Sequence, residues 1–213
     1  MSAPPNGGHS LRSWCIAVLA GAGLGTANSL TNVFGSPYGP YTRVPGEGVA
    51  WLQFLSTWLG SMWAWALFPF VVGWIVRRPV RAVLGGTAGL LVALVAYYVC
   101  DASLGMTGSI EVNAMATWVG PAALGAPIMA LIGCYSRGTG LEHLPAALVA
   151  PALMVYIVRR GGGDSGPTQP WSNWAVLLVA GVLTVVFCAR FVSHWRARLG
   201  DGVKSDREAT DRA

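Results

Sequence analysis

The chain has 213 residues, 54% of them hydrophobic and only 11% charged, with 14 Lys and Arg against 9 Asp and Glu. A soluble domain is about one quarter charged, so these few ionic groups cannot solvate the surface of a water-soluble fold, and the same composition excludes disorder, which needs low hydrophobicity and high charge. The net charge of +5 is spread in short clusters between apolar runs, which is how membrane topology signals are distributed, so the expected partner is the lipid bilayer and no nucleic acid is expected.

Residues 1–13 read as a polar, Pro- and Gly-rich tail. The first apolar segment, 14–34, carries Ala17, Gly21 and Gly25 at four-residue spacing. Small residues at that period line one helix face and let a second backbone come close. Two uses are open: packing within the chain, or docking of a partner membrane protein through this helix. Arg12 ahead of an apolar run resembles a secretory signal, but the run continues to Phe34, so an uncleaved helix is expected. Asn28 and Asn32 are neutral polar groups toward its far end.

The link at about 35–50 is rich in Pro, Gly and Tyr and holds Arg43. It reads either as a connector or as a lid over an outward-facing cavity. The second segment, 51–76, is aromatic: Trp51, Trp58 and Trp65 recur every seven residues and so form one stripe. Trp51 and Trp74 suit the membrane–water boundary. Trp58 and Trp65 lie deeper and either fill the bundle or wall a site for a flat, apolar ligand.

Arg77, Arg78 and Arg81 follow and mark a cytoplasmic link. The third segment, 82–100, holds Gly85 and Gly89 and closes on Tyr97-Tyr98, after which Asp101 and Glu111 bracket a short link and are expected at the headgroup level. The fourth, 112–134, reads Gly120-Pro121 and Gly125-Ala126-Pro127, and the fifth, 143–158, places Pro145 and Pro151 in a similar Ala-rich run behind Glu142 and His143. Prolines of this kind are expected to kink or break a membrane helix and free its carbonyls. Paired interrupted helices point to a transporter's binding site, with ordinary packing kinks as the alternative. The sixth segment, 174–195, leads into a charged tail at 196–213, expected to be flexible. Cys15, Cys100, Cys134 and Cys188 share no metal or redox spacing and read as small hydrophobes.

The fold class expected is therefore all-α: a bundle of six transmembrane helices over 14–195 with both termini cytoplasmic. Seven Arg at 12, 77, 78, 81, 137, 196 and 198 fall on the cytoplasmic flanks, against three at 43, 159 and 160 outside.

Ala27-Asn28-Ser29, Phe70-Val71-Val72-Gly73, Tyr97-Tyr98 and Trp118 with Gly120-Pro121 and Gly125 resemble the pattern of an uncharacterised family of small bacterial six-helix membrane proteins. The resemblance covers roughly residues 20–160 and fades after Arg160. It implies a bundle in a bacterial inner membrane and no particular reaction. Six helices, both ends inside, a small-residue first helix and a long first external loop are also similar in architecture to the substrate-binding subunits of energy-coupling-factor transporters, an analogy that does not fix function.

The leading expectation is a non-enzymatic multi-pass protein that binds or transports a small, partly apolar molecule. Its candidate ligand contacts are Trp58, Trp65, Asn28, Tyr97, Tyr98, Gly120, Pro121 and Arg43, and its candidate partner-docking face is Ala17, Gly21 and Gly25. No catalytic residue, metal or cofactor is expected on this reading. The alternatives are a membrane enzyme acting on a lipid or isoprenoid, with Asp101, Glu111 or Glu142 as acid or base, and a structural or assembly partner without a ligand.

Overall fold

A computed structural model describes residues 8–35, 47–76, 78–160 and 169–210. These residues form α1 (Gly8–Gly35), α2 (Glu47–Gly60), α3 (Met62–Ile75), α4 (Pro79–Ser103), α5 (Val112–Tyr135), α6 (Leu144–Arg160) and α7 (Gln169–Thr210), with one 3₁₀ turn at Leu141–His143 and no strand among them. Five stretches are long and apolar enough to cross a membrane: Trp14–Gly35, Pro79–Ser103, Val112–Tyr135, Leu141–Arg160 and Trp171–Ala197. Helices are the form such segments must take, because hydrocarbon offers no partner to an unpaired peptide group. Ile16, Leu19, Leu124, Ile128, Leu178 and Val185 point outward. An exposed apolar belt of this extent suits lipid and would promote aggregation in water.

Small residues set the packing. An ideal Cβ on Gly21 would sit 2.0 Å from the Gly89 carbonyl oxygen, and one on Gly25 would sit 2.0 Å from that of Ala93. Backbone therefore meets backbone between α1 and α4. The pairs Gly21–Gly89 and Gly25–Ala93 also show that the two helices run in the same direction. Ala17 is buried on the same face. The Ala17/Gly21/Gly25 stripe, a candidate docking face from its spacing, is thus covered by α4, and a partner reaching α1 would meet the opposite face around Ile16 and Leu19 instead.

A second close approach joins α3 and α5, where a Cβ on Gly73 would lie 1.9 Å from the Ala130 carbonyl oxygen and one on Gly133 would lie 2.0 Å from that of Phe70. The α6–α7 pair is sealed by side chains instead: Phe187 and Phe191 with Ala147 and Ala150 against Phe70, and Val176 and Ala180 with Met154 against Trp63.

Two expectations about helix continuity are corrected. The second apolar segment is not one straight helix. It breaks between α2 and α3, which meet at 59°. Ser61 at the joint is extended, at φ −69° and ψ 139°, so the i→i−4 ladder stops there; the Ser61 hydroxyl turns back to the Thr57 carbonyl. By contrast, the segments expected to kink or break are not interrupted. α5 is one helix through Pro121 and Pro127, and α6 is one helix through Pro151. A proline removes one ladder bond and need not end a membrane helix when neighbouring groups take up the freed carbonyl.

At the end holding Arg78 and Arg81, Arg137 donates from Nη1 to the carbonyls of Trp74 (2.7 Å) and Ile75 (3.2 Å). These are the last carbonyls of α3, and a cation there also opposes the helix dipole. Arg190 of α7 donates in turn to the Arg137 carbonyl. α7 itself continues past its apolar stretch to Thr210, through the charged segment.

Candidate functional site

The polar residues of the bundle gather where α1, α2 and α4 meet. Asn28, Ser29 and Asn32 occupy one turn of α1, while Tyr97 and Asp101, four residues apart, share a face of α4. Because α1 and α4 run in register, these two sets fall opposite each other. The Ser29 hydroxyl donates to Asp101 Oδ1 at 2.5 Å, and Tyr97 lies one turn before Asp101 on the same face of α4. Asn32 Nδ2 donates to the Tyr97 hydroxyl oxygen at 3.2 Å, and the Ser56 hydroxyl of α2 lies 3.5 Å from Asn32 Oδ1. Asn28, on the same turn of α1, faces the break in the second segment: an ideal Cβ on Gly60 would be 3.5 Å from Asn28 Oδ1.

The cluster is shielded. Ser29 is 0%, Asn28 5% and Asp101 6% exposed. Asp101 lies two residues before the end of α4 and is enclosed, because α4 continues helical to Ser103 and turns residue 101 toward α1. Glu111 and Glu142 are exposed; Glu142 Oε1 lies 3.5 Å from Nε2 of neighbouring His143. Of the three carboxylates named from sequence, only Asp101 belongs to the interior. An ionisable group enclosed in a bundle is costly unless its partners offset the burial.

Aromatic rings border the cluster on one side. Trp65 meets Tyr97 edge-on at 6.3 Å, and Tyr97 meets Tyr98 edge-on at 5.2 Å. Trp58 does not belong with Trp65. The bend at Gly60–Ser61 separates the two, and Trp58 stacks on Phe54 at 5.7 Å, meets Trp63 edge-on at 5.2 Å and directs Nε1–H to the Ser172 carbonyl of α7 at 3.4 Å. The seven-residue stripe is a property of a continuous helix and ends with the continuity. Gly120 and Pro121 lie on the exposed surface of α5, and a Cβ on Gly120 would have nothing within 4 Å. Arg43 and most of the 35–50 link lie outside the described residues.

Asn28, Trp65, Tyr97 and Tyr98 thus come together, while Trp58, Gly120 and Pro121 do not join them. Ser29, quoted above only within the Ala27-Asn28-Ser29 motif, Ser56 and the joint at Gly60–Ser61 complete the group. The 97/101 spacing is a signal for pairing on one helix face, and the Gly-Ser pair is a signal for a kink. Two cavities, of about 330 and 480 Å³, open near the α5–α6 connection. The first is bordered by Glu142, His194 and Trp195, the second by Pro79, Tyr135 and His143, and neither reaches the Asp101 cluster.

Comparison of the chain with protein-family models, with curated proteins and with solved structures gives no match.

Proposed function

We propose that this is a multi-pass membrane protein that binds or transports a small, partly apolar molecule at the meeting of α1, α2 and α4. The observation that carries the reading is the broken second segment, whose joint faces Asn28 on the same turn of α1 that hydrogen-bonds buried Asp101. Discontinuous helices opening on a polar group inside a bundle are a recurring way to build a transporter site, because the break supplies unpaired backbone and the surroundings exclude water. Trp65, Tyr97 and Tyr98 supply apolar area beside the polar contacts.

On this reading α2 and α3 together make one bent crossing. Since α1 and α4 run in the same direction, the chain must return across the bilayer between them, which favours six crossings with both termini on one side. The arginines at 77, 78, 81 and 137 favour the cytoplasm for that side. The resemblance noted in the sequence supports a bacterial inner membrane.

The test is untargeted mass spectrometry of small molecules retained by the purified protein in mild detergent. Wild type should retain a species that Asn28→Ala and Tyr97→Phe lose. Equal retention by wild type and both variants, or no retained species, would overturn the site. Burial of Asp101 also meets one requirement of the enzymatic alternative, a carboxylate in the interior. A modified lipid or isoprenoid accumulating with wild type and not with Asp101→Asn would favour that reading.

A further inference from the structure

We propose that the molecule bound at this site carries a positive charge, an alkylated or protonated amine on an apolar body, and that Asp101 is its counter-ion. The inference rests on the binding site proposed above and names the class of ligand it selects.

The direction of the hydrogen bonds carries the argument. Ser29 donates to Asp101. Asn32 donates to the Tyr97 hydroxyl, one turn before Asp101 on the same face of α4, and can accept in turn from Ser56. Among the described residues, Ser29 is the side chain that donates to Asp101. A carboxylate has about four lone-pair positions, and this hydroxyl occupies one.

Hydroxyls share the charge but do not neutralise it. Among the described residues no ion pair involves Asp101; the pair present is Glu142–His143, at the α5–α6 connection. Arg160 of α6 is turned over the Tyr156 ring at 5.7 Å. A buried carboxylate without a cation is costly, and a ligand bringing one offsets that cost. A neutral ligand brings no such offset, and an anion is repelled.

The surroundings distinguish an organic cation from a metal ion. The Ser29 hydroxyl hydrogen points at the carboxylate and the Tyr97 oxygen accepts from Asn32, so the cluster does not offer the ring of free oxygen lone pairs that a hard cation needs. Tyr97 instead stands one turn before Asp101 on α4, and Trp65 and Tyr98 meet it edge-on. Such rings attract an ammonium through their faces and accept its alkyl groups by burial.

The experiment compares phenyltrimethylammonium with tert-butylbenzene, which has the same shape and carbon in place of the charged nitrogen. Full-length protein in lipid nanodiscs is titrated with each, and binding is read from melting temperature and tryptophan fluorescence. Wild type should bind the cation at least tenfold more tightly than its neutral isostere. Asp101→Asn should remove that preference, and Asp101→Glu, which keeps the charge, should retain it. Equal binding of both compounds by wild type overturns the proposal without any variant, and so does a preference that survives in Asp101→Asn. If tert-butylbenzene alone binds, and Trp65→Ala abolishes this, the small-molecule site stands and its cation selectivity falls. If neither compound binds, both readings fall.

Discussion

Gly21 and Gly23 are two residues apart on α1, yet they tolerate a side chain very differently. A Cβ at Gly21 would strike the Gly89 carbonyl, whereas one at Gly23 would meet nothing within 4 Å. Gly21→Leu should therefore separate α1 from α4 and destabilise the bundle by about 3 kcal/mol or more, beyond the usual cost of overpacking, while Gly23→Ala should be neutral; unfolding of the purified protein in a denaturing-detergent titration reads both. Ser29→Ala should cost about 1–3 kcal/mol, because it strips a donor from a buried carboxylate, and the same titration measures it. A wild-type midpoint for Ser29→Ala would mean that water replaces the hydroxyl. At this scale the sequence was informative about type and silent about partner. The four-residue spacing of Ala17, Gly21 and Gly25 says that some backbone comes close, and nothing local distinguishes α4 from another protein. Asp101 follows a long apolar run, and only the pairing of α4 with α1 determines that it faces inward.

At the scale of elements, the extents of five spans were legible, because lipid solvation demands unbroken apolar helices of a set length. Their continuity was not. Prolines 121 and 127 lie within α5 without ending it, whereas Gly60–Ser61, which carries no proline, ends α2. Whether a helix breaks depends on what stands ready to satisfy the freed groups, and that is tertiary information. Pro121→Ala should consequently leave stability within about 0.5 kcal/mol, as for an exposed position, and leave ligand retention unchanged. Loss of retention would return α5 to the site. The two tryptophans divide by the same logic. Trp58→Phe removes one donor to α7 and should lower stability by about 1 kcal/mol without altering ligand retention; Trp65→Ala should reduce retention. Thermal melting and mass spectrometry of the same preparations separate the two effects.

For the whole molecule, the path of the chain makes a sharp prediction. With one bent crossing between α1 and α4, a cysteine at Val80 should be on the cytoplasmic side and one at Ile110 outside; both positions are exposed. In a background lacking the native cysteines, an impermeant thiol reagent should label Ile110→Cys on intact cells and reach Val80→Cys only after permeabilisation. Because α1 and α4 run in the same direction, labelling of Val80→Cys on intact cells would reverse the orientation of the whole bundle. The bend has a further effect on length. At 1.5 Å per residue, α2 and α3, of 14 residues each, are about 21 Å long, and joined at 59° they reach about 37 Å end to end, the same as straight 25-residue α4. Uninterrupted, the stretch from Glu47 to Ile75 would measure about 43 Å and overshoot its neighbour. Ser61 thus acts as a thickness adjustment, and a variant that straightened this stretch should shift the protein's preference toward bilayers of longer-chain lipids.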